Sequence, residues 1–339
     1  PAIVFVSELL LKLLMIAVLL LSKKKSDSAK IAWMILIVAL PFVGTAVYLL
    51  IGTRRLGSRR RKRNRAIMQE IPQNISCHIQ NPKLHAHTQV QKYKSVAHIA
   101  QAIGGSDVLP GNSAKLIQES DVFIETLVSD IANAEKHCHI LSYIMLNDQA
   151  GDDVSAALIT AAERGVTCRL LLDSLGSKEF LQSSTCDELR NAGVHVTAAL
   201  PANLLRAFFA RVDLRNHRKI SVIDNTIGYM GSNNIAEKAF AIKPKFAPWV
   251  DASVRLTGPI VRELQAIFVQ DWCLDTNDDL DAILKESIEI DEKGLPAQLM
   301  PTGPNSNNLA LSQLLQTTFF SAQKKLVITT PYFSPDDAT

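Results

Sequence analysis

Nineteen consecutive residues, Asn216 to Asn234, place an imidazole, an ammonium, a carboxylate, a hydroxyl and an amide in a fixed pattern, H-x-K-x4-D-x6-G-S-x-N. His217 and Lys219 are two apart, so in an extended chain both project from one face, while Ile220 and Val222 turn the other way into a core. Asp224-Asn225-Thr226 reads as a turn, and Ile227–Met230 as the returning strand. Gly231-Ser232 then brings a backbone without a side chain, and a hydroxyl, back to the same end. This set suits a phosphate. Lysine supplies a point charge, serine and asparagine supply donors, and histidine can attack phosphorus or move a proton.

A repeating α/β pattern surrounds this segment. Apolar spacing predicts helices over 121–134, 154–164 and 186–192, with strands over 137–145, 166–172 and 194–198. Gly165 and Gly193 stand where the second and third helices should stop. The expected fold class is therefore α/β. Residues 66–110, with Pro72, Pro82, Gly104, Gly105 and Pro110, read as a linker with short local structure. Ala134–Ile144 is echoed, with one gap, by Ala322–Phe333, which aligns Tyr143 with Tyr332. A second copy of the unit is thus expected to start near residue 305, and the natural chain to continue beyond its first strand.

The N-terminus differs in kind. Residues 2–21 and 31–51 are apolar runs, each about the 20 residues that cross a bilayer as a helix. Glu8 and Lys12 are spaced to pair on one helix face. Pro41 and Gly44 should kink the second run, and Trp33 and Tyr48 stand toward its ends, where interfacial aromatics belong. A cleaved signal peptide fits poorly, because the first run is long and no A-x-A site follows.

Of the whole-chain formal charge of +3, residues 1–52 carry +3 and residues 53–65 carry +8, so the remainder nets −8. The larger basic cluster predicts that the body follows it into the cytoplasm, and it can also rest on anionic headgroups. An acidic body argues against a general nucleic-acid binder. The five cysteines are odd in number, widely spaced and lack a C-x-x-C, so no disulfide framework is expected.

The pattern from His217 to Asn234 resembles the HKD motif of the phospholipase D superfamily. Within it, the chain is similar to the bacterial cardiolipin synthases along nearly its whole length. LLLDSLGS (170–177), RVDLRNHRKISVIDN (211–225), WVDASVRLTGPIV (249–261) and TTPYFSPDD (329–337) carry the resemblance. It implies a two-helix transmembrane hairpin (1–52), a basic flank and linker (53–110), a first phospholipase D-like α/β/α sandwich (111–275), and a connector with the start of a second such domain (276–339). It implies transfer of a phosphatidyl group from one phosphatidylglycerol to another through a phosphatidyl-histidine, at a bacterial inner membrane, with no metal or organic cofactor.

Carried over by position, His217 is the nucleophile or the acid and Lys219 holds the phosphate. Asp224 supports the histidine, and Ser232 and Asn234 contact phosphate oxygens. Asn233 can replace either of these two, and Gly231 gives close approach. All eight histidines lie at or before 217, so the second H-x-K of the family pattern has to come from a further domain or from a second copy in a homodimer. Phosphatidylglycerol and anionic lipid are the expected partners, and nucleic acid is not. The alternatives are a phospholipase D-type phosphodiesterase and a membrane scaffold with a vestigial half-site.

Three further features carry less. Leu204, Leu205, Phe208, Phe209 and Val212, interleaved with arginines, read either as an interfacial helix or as an amphipathic helix packed on the body. His137-Cys138-His139 has metal-like spacing but no second ligand pair nearby. His78, His85, His87 and His98 read as solvated linker residues.

Overall fold

The computed structural model describes residues 2–22, 27–52, 58–76, 92–201, 214–240, 245, 249–286, 293–304, 306, 310–330 and 332. Two compact units divide the chain, Pro1–Arg60 with Ala202–Leu214, and Arg61–Pro201 with Arg215–Thr339. The amphipathic reading of 204–212 lies outside the described residues, as do His78, His85 and His87.

The first unit contains helices Ala2–Leu20, Asp27–Ala39 and Pro41–Val47, followed by a π-helical turn Tyr48–Gly52. Lys12 reaches Glu8 at 2.6 Å, as the four-residue spacing predicts. The second apolar run is broken outright at Leu40, whose φ of −134° and ψ of 76° are non-helical just ahead of Pro41. The break returns Tyr48 to Trp33. Their rings meet edge to face at 5.2 Å, so these two aromatics pack on each other instead of marking opposite ends of one helix. Met15, Leu19, Ile37 and Tyr48 form the core of this unit. Among the described residues, no helix is long and apolar enough to cross a membrane.

The second unit is built on one mixed sheet. Its strands are β1 (Leu109–Ile117), β2 (His137–Ser142), β3 (Thr167–Asp173), β4 (His195–Ala199), β5 (Ile220–Ile223), β6 (Ile227–Gly231), β7 (Ser253–Thr257) and β8 (Leu295–Ala297). They lie in the order β4-β3-β2-β5-β6-β7-β1-β8. β2, β3 and β4 are parallel, whereas β5 joins β2 antiparallel and opens an antiparallel half. Helices cover both faces. Ser120–Ala132, Gln149–Glu163 and Ser184–Asn191 pack on one, through Leu127, Ile131, Val154, Leu158 and Leu189. Ile260–Asp275 packs on the other, where Val261, Leu264 and Phe268 meet Ile220, Val222 and Leu171. Every residue of β2 is buried, as expected for a strand covered on both sides. The α/β class holds, and the layering is α/β/α.

Local signals place these elements. Asp148 caps Gln149–Glu163 by accepting from the Gly151 N–H at 3.0 Å, and Ser183 caps Ser184–Asn191 through the Cys186 N–H at 3.2 Å. Gly165 and Gly193, with φ of 91° and 90°, follow the helices they were expected to end.

Two segments differ from expectation. The stretch read as linker contributes helices Ser58–Ser76 and Lys94–Gly104. Asn64 of the first bonds Gln270 at 2.8 Å, and Ile67 packs beside the Ile260–Asp275 core. That second cover explains why all but two residues of Ile260–Asp275 are buried. Farther on, helix Ala310–Ser321 forms and packs on Lys94–Gly104, but the strand expected after it does not. Leu326, Val327 and Ile328 stay exposed, with no strand beside them among the described residues.

Candidate active site

The sheet register gathers the chemistry at one end. The C-terminal ends of β2, β3 and β6 meet the N-terminal ends of β5 and β7 there, through the pairs Leu141↔Ile220, Ile220↔Met230 and Gly231↔Ser253. His217 and Lys219 lie in the segment that approaches β5, just before the strand and not within it. Asn216 and Arg218 fix that approach from behind. Both bond the buried Asp271 of Ile260–Asp275, at 2.7 and 2.6 Å, and Arg218 also donates to the Thr302 carbonyl at 2.8 Å.

The His217 ring stacks on Tyr143, with centroids 3.9 Å apart and planes 18° apart. Lys219 donates to the His217 carbonyl at 2.9 Å, and its ammonium stands 5.5 Å from the Tyr143 centroid. Lys219 also lines a small cavity with Ser142, Ser221, Gly231, Asn233 and Ser253. Burial depresses the Lys219 ammonium to about 8, against the opposing pull of Asp251. His217 is lowered as well, first by desolvation and then by the Lys219 charge, with Asp173 opposing.

A buried ion pair supports the floor of this end. Arg215 holds Asp173 through three hydrogen bonds of 2.7 to 2.9 Å, and the two side chains are 6% and 1% exposed. The same carboxylate accepts the Leu175 and Gly176 N–H groups at 3.0 and 3.1 Å. Sequence reasoning missed both partners. Available signals were a carboxylate at the C-terminal end of a buried strand and an arginine two residues before His217.

The remaining motif residues separate. Ser232 reaches the site end, donating to Asp251 at 2.6 Å and accepting from the Ala252 N–H at 3.0 Å. Asn234 accepts from the Ile144 N–H at 3.2 Å, which ties it to the segment that carries Tyr143. Asn233 is buried between Ser120 and Ser253 at 3.1 and 2.7 Å, a structural position. Gly231 is required by its neighbour strand. A Cβ there would stand 2.5 Å from the Ala252 carbonyl oxygen and the Ser253 Cα, so packing rather than close approach of a ligand explains it.

Asp224 does not join the site. It lies in the turn at the opposite end of β5, where its carboxylate accepts the Glu135, Lys136 and His137 N–H groups, each at 2.8 Å. Positive φ at Asp224 and Asn225, 51° and 55°, makes this a tight hairpin turn of the primed type.

His137 and His139 sit on β2 with stacked rings 4.6 Å apart, and His139 stacks in turn on Phe268 at 4.7 Å. Arg169 donates to His139 Nε2 at 3.1 Å, so the ring proton is on Nδ1 and goes to Gln265 Oε1 at 3.1 Å. Both nitrogens are thus used in packing. Burial, His137 and Arg169 hold the His139 pKa well below its ordinary value. The unfolded chain therefore takes up this proton near pH 6.5, and the folded chain only at lower pH. Stability is complete above about pH 6.5 and is lost as pH falls below it. Urea midpoints are expected to drop from neutral to mildly acidic pH, and less steeply in His139→Gln.

The chain has relatives among known proteins. The family model described as "Cardiolipin synthase, PLD-like domain" matches residues 127–272, which enclose β2 to β7. A second, "Phospholipase_D-nuclease N-terminal", matches 11–52. Cardiolipin synthase A of Yersinia pseudotuberculosis serotype O:1b (strain IP 31758) is 33% identical over 324 residues, 94% of this chain and 66% of the relative. The chain belongs to the cardiolipin synthase family of the phospholipase D superfamily. Cardiolipin synthase A of Serratia proteamaculans (strain 568) is 32% identical over 325 residues, again 94% of this chain and 66% of the relative. This member of the cardiolipin synthase family thus spans about two thirds of the length of the curated relatives it matches. Among solved structures, phosphatidylserine synthase of Haemophilus influenzae Rd KW20 aligns with a TM-score of 0.47 at 16% identity, covering 70% of this chain and 60% of that one.

Proposed function

We propose that the chain carries one half-site of a cardiolipin synthase, which moves a phosphatidyl group from one phosphatidylglycerol to the hydroxyl of another and releases glycerol. The observation that carries this reading is a histidine and a lysine held together at one sheet end, within a chain of this family. In the first step a His217 ring nitrogen attacks phosphorus, a P–N bond forms and the P–O bond to glycerol breaks. A proton given to that oxygen completes the leaving alcohol. In the second step the hydroxyl of another phosphatidylglycerol gives its proton to the group that protonated the glycerol oxygen and attacks the same phosphorus, the P–N bond breaks and cardiolipin leaves. His217 serves as the nucleophile here, and a second H-x-K half, from a further domain or another copy, supplies the acid. Exchange of the two roles leaves the balance unchanged.

Lys219 would hold a non-bridging oxygen. The Asn234 NH2 group would offer a donor beside it, and the Ser232 hydroxyl, which donates to Asp251, would add one only by turning from that carboxylate. No metal or cofactor enters the scheme. Asp251 sets the Ser232 hydroxyl, and Asp224 acts through the fold.

Residues 1–52 are proposed to anchor the protein at a bacterial inner membrane as a helical hairpin, with the basic stretch 53–65 against anionic headgroups and the body in the cytoplasm. Site placement at the bilayer favours a lipid alcohol over water as acceptor. The test is the protein reconstituted in phosphatidylglycerol liposomes labelled in glycerol and in acyl chain. Cardiolipin with free glycerol is expected, whereas phosphatidic acid with no cardiolipin would replace the transferase by a hydrolase.

The protonation states set a pH window. The imidazole has to be neutral to attack, and its lowered pKa keeps it so through neutrality. The ammonium has to be charged, and is so below about 8. Transfer is expected to fall as pH rises through about 8, mainly through KM. Lys219→Arg, whose guanidinium stays charged, is expected to remove that alkaline limb while lowering the maximum, as read from kcat and KM profiles.

A further inference from the structure

We propose that Tyr143 is a positioning residue for the transfer reaction, its ring acting as a plate that fixes the plane of the His217 imidazole and the direction of the Lys219 ammonium. This rests on the function proposed above. The ring touches both groups at once, stacking on the imidazole at 3.9 Å and 18° and meeting the ammonium at 5.5 Å. A stacked ring leaves an imidazole its edges, which carry both nitrogens, and removes its freedom to tip. The ammonium is drawn toward the π face by a cation–π contact. The two groups that have to address one phosphorus are thereby set by a single rigid surface.

The segment that carries the ring is itself held. Ser177 Oγ donates to the Tyr143 carbonyl at 3.2 Å and accepts the Met145 N–H at 3.0 Å. Gly176 lies so close that a Cβ would stand 2.2 Å from the Tyr143 carbonyl oxygen and 3.1 Å from Cε2 of its ring. The Gly176 N–H is bonded in turn to Asp173, the partner of Arg215. Arg215, Asp173, Gly176 and Tyr143 therefore form one chain of contacts that ends on His217. A buried ion pair two residues before the histidine gains a purpose from this: it locks the loop that locks the plate.

The charged and titratable groups around the imidazole are Lys219, Arg215, Asp173 and Tyr143. Among the described residues only the ring face of Tyr143 lies flat on His217, so its removal re-solvates the imidazole and leaves the three charges in place. The lowering of His217 by burial should then relax.

The test compares Tyr143→Phe, which keeps the plate, with Tyr143→Leu, which removes it. Carbethoxylation of His217 by diethyl pyrocarbonate, followed by peptide mass mapping across neutral pH, reads the accessibility and titration of that one imidazole without turnover. Tyr143→Leu is expected to raise the His217 midpoint and speed its modification. In liposomes it should lower kcat about 10- to 100-fold, the scale of a misplacement near 1 Å, with KM little changed. Tyr143→Phe should follow the parent in all three readouts. An unmoved His217 titration in Tyr143→Leu overturns the proposal, as does a Phe variant as impaired as Leu, since the hydroxyl would then be at work. Because modification needs no substrate, a parent protein inactive on every phospholipid would sink the functional reading while the titration still decides the role of Tyr143.

Discussion

His217→Asn is expected to lower phosphatidyl transfer by about four orders of magnitude or more, the scale seen when a covalent nucleophile or its proton-transfer partner is removed. The loss should fall on kcat, because the imidazole contributes to bond making and little to holding the headgroup. The residue keeps access to solvent while one face of its ring lies on Tyr143. Loss of that stack costs about 0.5–1.5 kcal/mol of stability, so the variant should remain folded. Quenching in detergent at alkaline pH, where a P–N bond survives, of a reaction with phosphorus-labelled phosphatidylglycerol gives a second readout. Label should stay with the parent protein and not with the variant. A variant that keeps more than about a hundredth of the activity would assign the nucleophile elsewhere, since a positioned acid or base alone contributes about 10²- to 10⁴-fold.

Breaking the pair between Asp173 and Arg215 is expected to cost about 3–5 kcal/mol, the range for removing one partner of a buried ion pair. Asp173→Ala leaves a guanidinium that is 6% exposed without its carboxylate, and it strands the Leu175 and Gly176 N–H groups. Asp173→Asn should lose less, because one amide oxygen still accepts from those two N–H groups. Denaturant midpoints of the parent and both variants measure this order. If Asp173→Asn and Asp173→Ala lose equally, the bonds from the two backbone N–H groups contribute nothing and the ion pair carries the whole effect. Activity measured well below the new midpoints should still be reduced in both, because the loop that carries Gly176 no longer braces Tyr143.

Much of the site end was legible in the residues. The order His217, Lys219, turn, Gly231, Ser232 already describes a hairpin that returns to its start, and the structure places Ser232 there. Asp224 was misread for a reason also present in the sequence. It sits in the turn, five residues from Lys219, and an extended chain at about 3.3 Å per residue puts it roughly 16 Å away. A residue that closes the far end of a hairpin cannot also orient the near end. Asn233 and Gly231 were placed at the phosphate because polar and flexible residue types suit it, yet neighbours from β7 and Ser120 decide both. Such neighbours depend on strand order, and periodicity within a strand says nothing of which strand lies beside it. The pairing of Asp173 with Arg215 was hidden for the same cause, since 42 residues separate them. The break at Pro41 was legible as a kink, but not the return of Tyr48 onto Trp33, which needs the whole turn in three dimensions.

The position of β5 has a consequence in time. It enters the sheet between β2 and β6, and the bonds that seal the site end cross long stretches of chain, 90 residues from Ile144 to Asn234 and 55 from Asn216 to Asp271. The Gln149–Glu163 helix and the parallel pairs β2 with β3 and β3 with β4 use nearer contacts and can assemble first. Closing the longer loops draws on chain entropy that only the finished sheet repays. During refolding, helical signal should therefore return well before His217 comes to rest on Tyr143. A newly made chain would thus complete the sheet end that holds His217 and Tyr143 as the final act of folding.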